Sequence, residues 1–149
     1  MKAVIQRVDR GSCTVDGKIT GEISKGLVIL LGITHDDTEK EAQKLADKIT
    51  NLRIFPNQEG DRHFESSLLD TKGGALVISQ FTLYANTKKG RRPDFAEAAK
   101  PEVAEPLYKK FIELMKNQGV KTEEGVFGAM MDIELVNSGP VSIIVQESR

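Results

Sequence analysis

The chain has 149 residues, 29% of them charged, and its acidic and basic side chains nearly balance to a formal net charge of -1. This length is typical of one domain with a substantial core, and the charge balance excludes a protein that coats nucleic acid non-specifically. The single cysteine, Cys13, excludes an internal disulfide, and no apolar run approaches the roughly 20 residues that span a bilayer. We therefore expect one domain over residues 1–149, without a secretory leader or membrane segment, in the reducing cytoplasm.

Alternating and apolar segments predict a strand-rich N-terminal part. Met1–Arg10 alternates between two faces, and the Asp-Gly pair between Ser12–Val15 and Lys18–Ile23 is typical of a tight β-hairpin. Leu27–Ile33 is apolar apart from one glycine, which predicts a central strand that is buried on both faces.

Two stretches of the chain have helical spacing. Thr38 and Glu41 have the spacing of a capping box. The helix after them presents an apolar face formed by Ala42, Leu45, Ala46, Ile49 and Leu52. The second helical signal covers Phe95–Lys100 and Pro101–Gln118, and its first proline suits an initial helical turn. Pro106 lies further inside, and we expect a kink or a second helix start there.

The stretch Gly74–Tyr84 changes from apolar to polar along its length. It begins as a buried strand over Ala75–Ile78 and continues with neutral polar side chains around one aromatic ring: Ser79, Gln80, Phe81 and Thr82. If the strand continues, Ser79 shares a face with Phe81, and the other two polar residues lie on the opposite face. These residues either form a site at the rim of the sheet or simply cap the strand before a turn.

Four cations lie in the segment Asn86–Asp94, around Gly90: Lys88, Lys89, Arg91 and Arg92. In a chain of nearly neutral charge, this concentration favours a loop that contacts the phosphate groups of a nucleic acid. The alternative interpretation is an ordinary solvated surface loop.

The C-terminal part predicts a final β-hairpin. The small-residue segment Gly125–Met131 leads into two strands, Asp132–Val136 and Val141–Gln146, and the turn-forming residues Asn137–Pro140 lie between them. No internal repeat, low-complexity tract or linker indicates a second domain.

The ionisable residues form no recognisable catalytic motif. Only two histidines are present, His35 and His63, and neither has the spacing of a metal site. The sequence also contains no nucleophile elbow, P-loop or dinucleotide-binding glycine pattern. Neutral hydroxyls, an amide and backbone groups remain, and these suit substrate binding and oxyanion stabilisation better than strong acid–base catalysis.

Five segments together resemble the D-aminoacyl-tRNA deacylase family, also described as D-tyrosyl-tRNA deacylases. They are distributed in order along the whole chain: Val4–Val8, Ser79–Leu83, Lys89–Pro93, Phe127–Met131 and Asn137–Val141. The chain departs from the family pattern at Ser138, where aspartate is expected, and at Ser142, where threonine is expected. Both residues are small and polar, so the resemblance is little affected.

This resemblance implies a fold of the α+β type, within the broader α/β class, in which a compact β-barrel-like sheet carries two main flanking helices. It implies a homodimer with active sites at the subunit interface, and no metal or organic cofactor. The implied reaction is hydrolysis of the ester that joins a D-amino acid, or glycine mischarged on tRNA-Ala, to the terminal adenosine of tRNA. L-aminoacyl-tRNA is rejected, so such an enzyme proofreads chirality.

The resemblance also assigns roles to individual residues. The implied catalytic residues are Gln80, Phe81 and Thr82. The implied substrate-binding residues are Ser79, Met131, Gly139 and Pro140, and the implied tRNA-binding residues are Lys88, Lys89, Arg91 and Arg92. In the family the Gly-Pro peptide bond is cis and reaches from one subunit into the pocket of the other, where its backbone excludes an L side chain.

The sequence leaves several alternatives open. Thr82 is either a nucleophile or a pocket wall without a base; in the second case the ribose 2′-hydroxyl of the substrate activates the attack. Backbone N–H groups near Gln80 and Phe81 are candidate oxyanion donors. The chain is alternatively a non-catalytic nucleic-acid-binding module that uses the Lys88–Arg92 loop, since some relatives are linked to DNA replication origins. A third interpretation is a small-molecule-binding oligomer without turnover.

Overall fold

The structure, a computed structural model, describes residues 1–147. Within that range the strands and helices are, in chain order, β1 (Lys2–Val15), β2 (Lys18–Ile23), β3 (Gly26–Gly32), α1 (Glu39–Asn51), α2 (Leu68–Thr71), β4 (Gly74–Ser79), α3 (Pro101–Asn117), β5 (Thr122–Glu124) and β6 (Asp132–Gln146). A short 3-10 helix, Phe81–Tyr84, follows β4 directly, and we call it the Phe81 turn.

All of these strands belong to one sheet, in which β1 has partners on both edges. β1 pairs antiparallel with β3 through its first half and with β2 through its second half, while β6 follows the opposite edge along nearly its whole length. β4 lies parallel to β3, and β5 lies parallel to β4. The far ends also approach each other, because a Cβ added to Gly21 of β2 would lie 2.8 Å from the backbone oxygen of Glu124 in β5. The predicted barrel-like α+β fold with two main flanking helices is therefore confirmed.

The two faces of the sheet bury two different sets of apolar side chains. Leu27 and Ile29 of β3 pack with α1 and α3 on one face, whereas the intervening Val28 packs inside the barrel. β4 alternates in the same way, with Val77 in the first set and Ile78 in the second. The predicted burial of β3 on both faces is therefore confirmed.

Turn and cap signals that act over a few residues are confirmed. Asp16 and Gly17 have φ angles of 49° and 76° and join β1 to β2 as the predicted hairpin. Thr38 caps α1 in a capping box with Glu41, and Pro101 is the first residue of α3. The ends of these elements are thus determined by their own residues.

The segment before α3 differs from its prediction. The helical signal over Phe95–Lys100 is wrong, since Ala99 donates its backbone N–H to the oxygen of Ile33 at 2.9 Å. Lys100 precedes a proline and is extended, with ψ at 155°, because the proline ring crowds a helical conformation of the residue before it. Of the two alternatives expected at Pro106, a kink or a second helix start, the second start is wrong, because α3 continues past that residue.

The predicted final hairpin is wrong as well, because β6 is one continuous strand. Opposite the single residue Arg7 of β1, β6 carries four residues, Ser138–Val141, which bulge out of the ladder and which we call the Gly-Pro bulge. Asn137 closes this bulge by accepting the Val141 N–H at 2.8 Å, and the Gly139–Pro140 peptide bond within it is cis. The turn-forming residues interrupt a strand rather than reverse it, since β1, with 14 residues, is long enough to pair with both halves.

None of the helices within residues 1–147 is long and apolar enough to cross a bilayer.

The start of the parallel β3–β4 pair provides a test of this packing. A Cβ added to Gly26 would lie 1.9 Å from the backbone oxygen of Gly74, and φ at this position is +158°. We expect Gly26→Ala to lower the free energy of unfolding by about 3 kcal/mol or more, because backbone atoms cannot move aside. Gly60→Ala, at a φ of +76° in open space, is the control and should cost about 1 kcal/mol. Urea denaturation measures both, and equal losses would contradict the close approach.

Candidate active site

A pocket of about 600 Å³ opens at the carboxyl end of β4. Its lining includes Ser79, Gln80, Phe81, Phe95, Phe127 and Met131. Every residue that lines it, within the described part of the chain, is uncharged, and most are apolar. The pocket therefore offers shape, aromatic surface and hydrogen-bonding groups rather than an acid or a base.

The Phe81 turn begins where the hydrogen-bonded pairing of β4 with β3 ends. Ser79 is the last β4 residue to pair with β3, opposite Leu31, and the next N–H, that of Gln80, donates to the Leu31 oxygen at 2.8 Å. The chain then winds into a 3-10 helix, so the predicted strand alternation beyond Ser79 is wrong. Ser79, Gln80 and Phe81 consequently line one pocket together, whereas the next residue, Thr82, is exposed and lies outside the lining.

Backbone donors are available at the start of this turn. The first N–H groups of a helix have no partner within it, and those of Phe81 and Thr82 meet no acceptor among residues 1–147. The Gln80 N–H, in contrast, is occupied by Leu31, which removes it as an oxyanion donor. Gln80 instead contributes its side-chain amide, which donates to the Thr82 hydroxyl oxygen.

An exposed aromatic wall borders the pocket. The rings of Phe81 and Phe95 meet edge to face, with centroids 5.1 Å apart, and their residues are 55% and 37% exposed. Phe95 was not assigned to the site from the sequence, although this residue directly follows the segment Asn86–Asp94, which we call the basic loop. Large apolar side chains rarely remain this exposed in pairs without a partner, so the wall is a candidate contact for a flat ligand.

The two tyrosines near the pocket do not supply a base. Burial raises the pKa of the Tyr108 hydroxyl, which donates to the Val77 oxygen at 2.8 Å while its ring packs against Phe127. Burial also raises the pKa of Tyr84, and the negative charges of Asp37 and Glu97 add to this shift. Both hydroxyls therefore stay protonated at neutral pH.

The basic loop forms an exposed hairpin beside the aromatic wall. Asn86 and Asp94 close it with two backbone hydrogen bonds of 2.7 and 3.0 Å, and Gly90 stands at its tip in open space with φ at +69°. Its four cations are exposed, and none forms a salt bridge with the residues that the structure describes. Since Phe95 directly follows Asp94, the end of this loop lies next to the aromatic wall of the pocket.

The Gly-Pro bulge lies apart from the pocket of its own chain. Gly139 and Pro140 are exposed and do not line it. Arg7, which sequence reasoning did not assign to the site, donates to the Ser138 oxygen at 3.0 Å and to the Ile54 oxygen at 2.8 Å. The only feature of the sequence that indicated this role for Arg7 was the presence of a cation within an otherwise alternating apolar strand. Arg7 thus holds the bulge against a neighbouring loop.

The structure brings together four of the seven residues that the resemblance placed at the catalytic and substrate sites, namely Ser79, Gln80, Phe81 and Met131. No group of three or more His, Cys, Asp or Glu side chains within residues 1–147 is arranged to hold a metal ion. The chemistry available at the site is therefore carried by neutral side chains and backbone groups.

Known proteins resemble this chain over its whole length. Residues 4–146 match the family described as D-Tyr-tRNA(Tyr) deacylase. A D-aminoacyl-tRNA deacylase of Bacillus velezensis is 54% identical over 149 residues, 100% of both chains. The D-aminoacyl-tRNA deacylase of Aquifex aeolicus is 54% identical over 145 residues, 97% of both. The solved structure of c-Myc DNA Unwinding Element Binding Protein is 39% identical and superposes over 100% of both chains with a TM-score of 0.93.

Proposed function

The chain belongs to the D-Tyr-tRNA(Tyr) deacylase family, and from that premise we propose that it proofreads chirality, releasing D-amino acids from tRNA and rejecting L-aminoacyl-tRNA. It is a D-aminoacyl-tRNA deacylase, a hydrolase of carboxylic esters. The observation that carries the finer proposal is the uncharged pocket at the end of β4, directly beside an exposed basic loop. The pocket receives the ester and its terminal adenosine, and the loop receives the phosphate backbone.

Hydrolysis in such a pocket relies on polarising the ester rather than on a protein base. An aminoacyl ester is already activated, so a positioned water can attack its carbonyl carbon once the developing oxyanion is stabilised. We assign that stabilisation to the Phe81 N–H, with Thr82 N–H as its neighbour, because both donors are free. Collapse of the tetrahedral intermediate then breaks the bond to the ribose oxygen, which takes up the proton lost by the water.

Thr82 acts in this scheme as a positioned neutral group and not as a nucleophile. Its hydroxyl oxygen accepts a hydrogen bond from the Gln80 amide, and it forms no hydrogen bond with a carboxylate or imidazole among the described residues. A threonine hydroxyl without a base is a poor nucleophile. We therefore assign activation of the attack to the 2′-hydroxyl of the terminal ribose.

Chiral selection requires rigid backbone atoms near the substrate Cα, and we place the Gly-Pro bulge in this role across a homodimer interface. The bulge lies on β6, which pairs only with β1 among residues 1–147, and Ile144 of the same strand is 71% exposed. An edge strand with an exposed apolar side chain favours association with a second chain. In such a dimer, Gly139 and Pro140 of one subunit enter the pocket of the other.

A backbone wall of this kind also determines the range of substrates. Inversion at Cα exchanges the side chain and the hydrogen, so a wall that admits only hydrogen excludes every L side chain and accepts D side chains. Glycine has hydrogen at both positions, and we therefore include glycyl-tRNA mischarged on tRNA-Ala among the substrates. Because aminoacyl-tRNA is a cytoplasmic molecule, we place the activity in the cytoplasm.

Binding of tRNA is assigned to the basic loop. Lys88, Lys89, Arg91 and Arg92 are exposed together and lie next to the aromatic wall of the pocket. Phosphate contacts supply affinity and orientation without reading stereochemistry. The loop therefore holds the acceptor end of tRNA while its aminoacylated terminus occupies the pocket.

A second candidate function is binding of DNA without turnover. It is favoured by one observation, the similarity to a solved structure named c-Myc DNA Unwinding Element Binding Protein. The same four cations are the surface on which such binding would depend. The pocket and its free backbone donors have no role in that alternative, which is why we favour the enzyme.

The decisive experiment compares D- and L-tyrosyl-tRNA with the purified chain and follows release of labelled tyrosine. Release from the D substrate alone supports the proposal. Retardation of tRNA without release supports a binding module, and neither effect supports a small-molecule-binding oligomer. Equal release from both substrates would leave an esterase and overturn the assignment of chiral selection.

For Thr82→Ala we expect kcat to fall by less than about tenfold, since loss of a true nucleophile costs on the order of a millionfold. A substrate ending in 2′-deoxyadenosine should lose about a hundredfold or more, the usual size of acid–base assistance. Single-turnover kinetics with D-tyrosyl-tRNA measure both, with filter binding as the control for affinity. If Thr82→Ala bound the substrate normally but did not hydrolyse it, the result would support Thr82 as a nucleophile.

For Gly139→Ala we expect D activity to fall about tenfold, or hydrolysis of L-tyrosyl-tRNA to rise, because the added Cβ displaces the bulge. That Cβ would lie 2.9 Å from an Arg7 guanidinium nitrogen and from a Val141 methyl, at a φ of +130°. The control is Gly60→Ala, which has a φ of +76° in open space and lies outside the pocket lining. Loss of stability without any change in rate or chiral preference would remove the bulge from the site.

Action across the dimer interface has a separate test. Gly139→Ala chains have an intact pocket, and Phe81→Ala chains have an intact bulge. Mixed dimers of the two should regain D activity, since one of their two sites combines the intact parts. No recovery in verified mixed dimers would place the bulge in the site of its own chain.

For Arg91→Glu combined with Arg92→Glu we expect tRNA binding to weaken by about tenfold or more. The slope of log affinity against log salt should fall by about one for each lost phosphate contact. Chiral preference and thermal stability should not change. Lys40→Glu with Lys44→Glu, on the exposed face of α1, is the matched control. The same affinity and salt slope in both double variants would make the loop an ordinary solvated surface.

A further inference from the structure

The Phe81 turn rests on one place in the sheet, where Lys2 of β1 pairs with Gly32 of β3. A Cβ added to Gly32 would lie 3.0 Å from the Leu83 Cβ, 3.2 Å from the Gln80 oxygen and 3.2 Å from the Tyr84 ring. These distances are shorter than ordinary van der Waals contacts, so a methyl group at this position would push the turn away by a few tenths of an ångström. The absence of a side chain at Gly32 therefore sets how closely the turn approaches the sheet.

Lys2 contacts the same turn from the other member of the pair. Its ammonium donates to the Leu83 oxygen at 3.2 Å and lies 4.8 Å from the centroid of the Tyr84 ring. Leu83 and Tyr84 are the last two residues of the turn. A cation near the final carbonyl groups of a helix and over an aromatic face is stabilising on both counts.

The turn is thus held at both ends. At its start, the Gln80 N–H donates to the Leu31 oxygen at 2.8 Å; at its end, Lys2 binds Leu83. Its other backbone hydrogen bonds, from Leu83 to Gln80 and from Ala85 to Thr82, are internal and do not attach it to the sheet. The Phe81 N–H lies between the two attachment points, so both of them determine where this donor stands.

We propose that Lys2 and Gly32 are positioning residues for the deacylase reaction, which fix the Phe81 turn so that its backbone N–H meets the developing oxyanion. This inference rests on the proposed function of that N–H. Gly32 sets how closely the turn packs against the sheet, and the hydrogen bond from Lys2 to Leu83 keeps the end of the turn attached to the sheet. Neither residue touches the substrate; both act through Gln80, Leu83 and Tyr84.

Such a role affects the transition state more than substrate binding. A donor displaced by a fraction of an ångström still permits the ester to enter, but it no longer matches the oxyanion. The signature of a positioning residue is therefore a lower kcat at nearly constant KM. Loss of a residue that only stabilises the fold lowers the fraction of folded protein, whereas kcat per folded molecule does not change.

The test uses Lys2→Met, which keeps the length of the side chain and removes its charge, and Lys2→Arg, which keeps a cationic donor. With D-tyrosyl-tRNA we expect Lys2→Met to lower kcat about tenfold, with KM within about twofold of the wild type. Lys2→Arg should recover most of the rate. Lys18→Met, an exposed lysine on β2, is the control and should not change kcat.

Amide hydrogen exchange adds a readout that does not depend on activity. The Ala85 N–H, which donates within the turn to the Thr82 oxygen at 3.0 Å, should exchange faster in Lys2→Met but not in Lys18→Met. Gly32→Ala should show the same kinetic signature; if that variant does not fold, the Lys2 variants still decide.

The outcomes separate this inference from the proposed function. If wild-type protein fails to hydrolyse D-tyrosyl-tRNA, the proposed function fails. If wild-type protein is active and Lys2→Met keeps its kcat within about twofold, or if Lys2→Arg is as impaired as Lys2→Met, the positioning role is overturned. Unchanged exchange at Ala85 in an impaired Lys2→Met variant would also overturn it.

Discussion

β1 is hydrogen-bonded along both of its edges, and the rest of the structure depends on this double pairing. β3 and β2 share one edge in succession, and β6 takes the other, so the sheet must curl around a common interior. The curl brings β2 against β5 and separates one apolar core inside the barrel from a second core beneath the helices. On the β6 edge, the surplus residues opposite Arg7 form the Gly-Pro bulge, in which Gly139 and Pro140 are exposed.

The parallel pair β3–β4 converts this scaffold into a site. β4 stays paired with β3 through Ser79, and Gln80 adds one more hydrogen bond to Leu31 before the chain turns into a 3-10 helix at Phe81. The ring of Phe81 then packs edge to face against that of Phe95, which follows the basic loop in the sequence. A pocket without charged side chains therefore lies next to a cluster of exposed cations, and none of these cations lines the pocket.

The site operates with groups that do not titrate near neutral pH. The pocket lining is uncharged within the described chain, and burial raises the pKa of both nearby tyrosine hydroxyls. In the proposed mechanism, catalysis by backbone donors depends on where the backbone is held, and so on the residues that pack behind the site. Gly32 and Lys2 are such residues, and Arg7 has the corresponding position behind the Gly-Pro bulge.

The sequence by itself determined the features whose cause lies within a few residues, such as the Asp-Gly hairpin, the Thr38 capping box and the burial of β3 on both faces. It also located the polar end of β4 and the basic loop. Tertiary structure alone decided that the turn-forming residues Asn137–Pro140 interrupt a continuous strand rather than reverse it, and that Phe95–Lys100 is not helical. Turn and helix propensities are local, whereas pairing with a long neighbouring strand and the hydrogen bond to Ile33 come from residues far away along the chain.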